Sequence, residues 1–175
     1  IASCLVGSEM CIRDRIQPEG PDDRDTIFAL TQAAFRDHPH SQQTEGYIID
    51  ALREAGVLTL SLVAREDAGI VGHIAFSPVQ ISDGSPDWYG LGPVAVLPGR
   101  QGRGIGAALV REGLDRLKAL GAAGCVVMGE PSYYARFGFA QTPALTYPGV
   151  PPEYFMAQAF TLPAQGQVAY HKGFD

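Results

Sequence analysis

Between residues 58 and 64, Leu58, Leu60 and Leu62 alternate with Thr59 and Ser61, the two-residue period of a half-buried strand. Residues 65–69 form a hairpin-length loop containing Gly69, and 70–76 read as the returning strand. After a loop at 82–87, the stretch Trp88–Val96 is apolar almost throughout, as expected of a central strand covered on both faces. Pro93 lies inside it and has no N–H to give to a ladder, so a bulge is expected there. Helical spacing governs other stretches. Asp22 and Asp23 are good N-caps for a helix carrying Ile27, Leu30 and Ala34 on one face, which ends near His38 because Pro39 disfavours helical dihedrals before it. A second helix is expected over 44–55, with Tyr47, Ile48, Ala51 and Leu52 on its apolar side and Gly56 as its stop. A third, long helix follows a glycine-rich turn at 98–106 and aligns Ile105, Leu109, Gly113, Leu117 and Leu120 before Gly121. Shorter segments complete the pattern: a strand at 15–19, a buried strand at 125–128, about one helical turn at 132–136 and an irregular proline-rich run at 142–152. A terminal hairpin is expected from 156–162 and 168–170 around Gly166. Together these predict a mixed α/β (α+β) domain with a mainly antiparallel sheet, flanking helices and one βαβ-like crossover.

Composition narrows the function classes. The chain has 175 residues, 46% of them hydrophobic, which suits one packed domain and not a disordered segment. No stretch reaches the roughly 18 uninterrupted apolar residues of a membrane span, so no membrane partner is expected. A net charge of −6 disfavours a broad nucleic-acid-binding face, while leaving room for a local basic site that holds one small anion. Cys4, Cys11 and Cys125 are odd in number and not spaced as zinc ligands, so neither a disulfide framework nor a metal is expected, and the setting is read as reducing and cytoplasmic. The opening IASCLVGSEMCIRDR has no periodicity and reads like translated adaptor sequence. Residues 1–14 are therefore expected to be a non-native or disordered tail, and 15–175 the single domain.

The most informative stretch runs from Val94 to Ala107. A strand leads into Gly102, Gly104 and Gly106, which open a helix. Glycines let main-chain N–H groups approach an anion, and the first helical turn offers unpaired donors and the positive end of the helix dipole. Arg100 and Arg103 add mobile charge, which makes the turn a pyrophosphate cradle. Three readings compete. One is a connection with no ligand. Another is a dinucleotide fold, since Gly102, Gly104 and Ala107 formally satisfy G-x-G-x-x-A and Glu130 stands as a ribose acid. Against it, the motif lies past the middle of the chain and only 45 residues follow Glu130, too few to finish a doubly wound sheet.

The third reading rests on Gln101-x-x-Gly104-x-Gly106, which resembles the pyrophosphate-binding signature of the GNAT superfamily of N-acetyltransferases. The runs SLVAREDAGIVGHIAFSPV, LGPVAVLPGRQGRGIGAALVREGLDRLKALGA and PSYYARFGF extend the resemblance to a YhbS-like bacterial branch, from about Ile16 to Tyr170. The resemblance implies a sheet whose central strands, Trp88–Val96 and 125–128, splay apart to admit acetyl-CoA as co-substrate, with no metal. Val94, Ala95 and Val96 would pair with the pantetheine arm. Gln101, Gly102, Arg103, Gly104, Ile105, Gly106 and Ala107 would wrap the pyrophosphate. Tyr134, four residues before Gly138, matches the family's tyrosine and would protonate the departing thiolate; Tyr133 is the alternative. The acceptor would be an amine of a small molecule or a protein.

Much stays open at this level. Gly129-Glu130-Pro131 stands where many relatives place an Asn that holds CoA. Glu130 and His73 are candidate general bases, though His73 within an apolar strand suits a core role. His38 and His40 lack an acidic partner for a metal, Cys125 suits an inert buried thiol, and Trp88 suits the core more than an acceptor pocket. A CoA-binding sensor without turnover is the main rival, and a nicotinamide-dependent oxidoreductase a poorer one. Neither the acceptor nor the oligomeric state, a homodimer included, can be read from the pattern.

Overall fold

The computed structural model describes residues 12–175. Strands β1 (Ile16–Pro18), β2 (Leu60–Glu66), β3 (Gly69–Pro78), β5 (Trp88–Val96), β6 (Gly124–Met128) and β8 (Phe155–Ala159) form one sheet in the order β1-β2-β3-β5-β6-β8. A small second sheet joins β4 (Gln80–Ile81), β9 (Gly166–Ala169) and β7 (Leu145–Thr146) in the order β4-β9-β7. Four helices are used below: α1 (Arg24–Phe35), α2 (Glu45–Glu54), α3 (Ile105–Ala119) and the short α4 (Pro131–Tyr134). In the main sheet β5 and β6 are parallel, joined by α3, and the other neighbours are antiparallel. This is the mainly antiparallel sheet with one crossover that the pattern predicts.

Side-chain alternation decides what each face packs against. Ile74 and Phe76 of β3 face α3, whose Ile105, Leu109, Gly113 and Leu117 recur at helical spacing and are buried. The phenyl ring of Phe76 fills the space that a side chain at Gly113 would need; a Cβ there would lie 2.3 Å from Phe76 Cε2. The opposite face has two covers. Over β2, β3 and β5, α1 and α2 bury Ile27, Leu30 and Ile49 against Val63 and Ala95. Over β5, β6 and β8, the small sheet buries Val168 and Leu145 against Trp88, Val126 and Phe155. Trp88 is thus core, its indole lying on Gly124.

Several local expectations are corrected. Asp23 stands at the N-cap position of α1 but its side chain does not cap. Its carboxylate accepts from the Gly20 N–H at 2.6 Å and pairs with Arg65, tying the β1–α1 turn to β2. In α2 the buried positions are Gly46, Ile49 and Leu52, while Tyr47 is exposed. The reason is Gly46, whose missing side chain lets Phe28 of α1 come within 2.9 Å of where a Cβ would be. That approach sets the rotation of α2. Leu120 is exposed past the end of α3. The expected terminal hairpin is absent: β8 joins β6 in the main sheet, and β9 joins β4 and β7 in the other.

Of the tail expected at 1–14, residues 1–11 lie outside the described residues. Arg13 is described and holds Glu112 at 2.9 Å and Asp115 at 2.5 Å on α3.

Candidate active site

The register of β5 creates the site. Ile74 pairs with Val94 and Phe76 with Leu91, so Gly92 and Pro93 together face only Ala75. This is the bulge expected at Pro93, and the Gly92–Pro93 peptide is cis. On the other side of β5 the parallel pairing runs from Trp88–Gly124 to Leu91–Val127 and stops. Beyond the bulge, Val94, Ala95 and Val96 pair with β3 alone, while β6 continues to Met128 paired with β8 alone. A notch opens between the two strands, as the splay implied by the resemblance requires.

Backbone direction in the notch follows from alternation. The Leu97 N–H bonds the Val71 carbonyl of β3 at 2.9 Å. Ala95, two residues earlier, turns its N–H and C=O the same way, so Val94 and Val96 present theirs to the notch. The Val96 carbonyl accepts from the Gln101 side-chain amide at 3.1 Å, which folds the glycine turn back onto the strand. Thus, of Val94, Ala95 and Val96, the first and last turn main-chain groups toward the notch and Ala95 turns its own toward β3.

At the mouth of the notch lies the first turn of α3. Gly104 is its N-cap, at φ +84°, a left-handed conformation that a residue with a Cβ adopts at a cost. Among the described residues no hydrogen bond leaves the backbone N–H groups of Gln101 to Ala107; the first amide to pair is that of Ala108, on the Gly104 carbonyl at 3.0 Å. These amides lie at the positive end of a 15-residue helix, an arrangement chemically suited to an anion. Arg103 is exposed beside them with no ion-pair partner among the described residues. Arg100, expected to be mobile, is instead held by Glu66 at 3.0 Å, a contact across 34 residues for which the sequence carries no signal.

The far rim is α4. The Tyr134 ring is buried, lies over Gly129 and meets Phe139 edge-on at a centroid distance of 6.0 Å. Its hydroxyl bonds no described residue and is not sealed from solvent. Burial pushes the phenol well above its ordinary pKa of 10, so at neutral pH it stays protonated. Tyr133 is half-buried on the same turn, its phenol also raised by burial. Its oxygen lies 3.2 Å from where a Cβ on Gly106 would sit, and Val96 Cγ2 lies 3.7 Å from the same point. Gly106 therefore stands between the β5 rim and the α4 rim.

Of the two base candidates, His73 lies apart from this group and Glu130 stands at its edge, as the N-cap of α4. His73 points to the α1/α2 face, is fully buried, and shares a 2.7 Å hydrogen bond between Nε2 and Ser61 Oγ. Burial, with Arg53 nearby, lowers its pKa to about 3. Glu130 is exposed at the start of α4 and accepts from Ser132 at 3.3 Å. Cys125 is a buried free thiol that burial pushes up, hence unreactive. Among the described residues no group of three His, Cys, Asp or Glu side chains is placed to hold a metal, and no helix is long and apolar enough to cross a membrane.

The comparisons with known proteins agree with this geometry. The model of the Acetyltransferase (GNAT) family matches residues 24–139. The uncharacterized N-acetyltransferase YhbS of Escherichia coli K12 is 41% identical over 125 residues, 71% of this chain and 72% of that protein. Among solved structures, a GNAT family acetyltransferase from Brucella melitensis in complex with acetyl-CoA is 52% identical, with a TM-score of 0.81 over 91% of this chain and 97% of that one. Escherichia coli YhbS in complex with CoA is 36% identical, with a TM-score of 0.83 over 91% and 90%.

Proposed function

We propose that this chain, which belongs to the GNAT family of acetyltransferases, takes acetyl-CoA as its donor and moves the acetyl group to an amine of a small molecule or a protein. The observation that carries this reading is the end of the β5–β6 pairing at Leu91–Val127, with β5 continuing to Val96 beside unpaired amides. A pantetheine arm is an extended chain with its own amides. The outward main-chain groups of Val94 and Val96 can bind it as a further strand would be bound, with Gln101 releasing the Val96 carbonyl. The amides of residues 102–107 and Arg103 suit the diphosphate.

Acyl transfer then asks three things of the site. The amine must arrive neutral, so its proton passes to a base or to water. The carbonyl oxygen, as it gains charge, needs an aimed donor, and the Val96 N–H faces the notch. The departing sulfur needs a proton, which the Tyr134 phenol supplies. A cytoplasmic setting goes with this reading.

Incubation with acetyl-CoA and a panel of primary amines, polyamines and peptide N-termini should release free CoA thiol, read with a thiol-reactive dye. Tight acetyl-CoA binding with no thiol release across the panel would favour a CoA-binding module without turnover. That alternative draws on His73, a candidate base that is sealed behind the sheet.

A further inference from the structure

We propose that the hydroxyl of Tyr133 positions the diphosphate of the donor, a role separate from that of Tyr134; this rests on the acetyl-CoA reading above. Tyr133 Oη overhangs the first turn of α3, 3.2 Å from the Cβ position of Gly106, within the run of amides that bond no described residue. The ring is fixed on several sides. It meets Tyr134 edge-on at 5.1 Å and Phe137 at 5.3 Å, and the Arg136 guanidinium lies 4.7 Å over its face. The hydroxyl itself bonds no described residue and is open to solvent. A held ring with a free O–H is a preorganised donor, since little freedom is lost when it bonds.

The chemistry suits an anion in that place. A protonated phenol gives one O–H, and a bond from it to a phosphate oxygen is charge-assisted. Arg136 behind the ring adds positive potential without occupying the space over Gly106. Helix amides then grip the diphosphate from below and the phenol from the α4 rim. This explains a pair of adjacent tyrosines whose rings cross at 88°: the Tyr133 oxygen is sent to the helix mouth, while the Tyr134 ring lies over Gly129.

The test is Tyr133→Phe, which keeps the ring contacts and removes one oxygen. Calorimetry with CoA should show affinity weakened about tenfold, the loss of one hydrogen bond to a charged group. In the 31P spectrum of the bound complex the two diphosphate resonances should move relative to wild type, while the 3′-phosphate resonance stays. An affinity within about twofold of wild type, or a loss with the diphosphate resonances unmoved, overturns the assignment and leaves Tyr133 as packing. Failure of the wild-type protein to bind CoA at all would instead overturn the donor reading itself.

Discussion

The two tyrosines on α4 differ by one position in sequence and in burial, Tyr134 being buried and Tyr133 half-buried. Tyr134 is buried in an aromatic cluster with Phe137 and Phe139, so its phenol holds its proton at neutral pH. If it protonates the leaving thiolate, Tyr134→Phe lowers kcat about 100-fold, within the range of general acid catalysis. Steady-state thiol release gives kcat, and calorimetry should show CoA affinity unchanged; an unchanged kcat would remove Tyr134 from the mechanism. Much of the candidate site is legible in sequence at this scale because its proposed cradle is local: Gln101, Gly104 and Gly106 lie within one turn and a helix start. What is not legible joins distant segments. Arg100 finds Glu66, and Tyr133 reaches Gly106, only after the sheet and α3 have packed.

Elements are legible where one pattern decides them and illegible where a partner does. The bounds of β5 and its bulge follow from an apolar run interrupted by Pro93. The inward face of α2 does not, since Gly46 and its contact with Phe28 overrule the larger side chains Tyr47 and Ile48. Likewise β8 and β9 are adjacent in sequence but belong to different sheets, and no local signal distinguishes that from a hairpin. The same kind of close approach makes α3 sensitive. Gly113→Ala places a Cβ within 2.5 Å of the Phe76 ring, which is fully buried and cannot retreat. A cost of about 1–3 kcal/mol is expected for such overpacking. It should appear as a lower urea midpoint, and Gly113→Ala combined with Phe76→Leu should lose less than the two single changes summed.

For the whole molecule, the sheet separates two chemistries. Its α3 face carries the proposed cradle, and its α1/α2 face seals an imidazole. An acidic chain of net charge −6 can hold an anion only where its own charges are locally offset, and the proposed place is the start of α3 with Arg103 beside it. The sealed imidazole has a global consequence. His73 is buried with Nδ1 unpaired and Nε2 on Ser61, and Arg53 of α2 adds to the penalty on a proton there. Its pKa falls from the ordinary 6.5 to about 3 in the folded chain. Between those values the unfolded chain binds a proton that the folded one refuses, so stability rises with pH across the window and falls as acid is added. The slope from this residue approaches about 1.4 kcal/mol per pH unit, the limit for one proton. Urea unfolding at pH steps from 6.5 to 5 should show that decline. His73→Gln, which keeps an amide near Ser61 and cannot titrate, should flatten it by about one proton even if it lowers stability at every pH. Equal slopes for the two proteins would mean that His73 is protonated inside the fold, and so reached by water from the α1/α2 side.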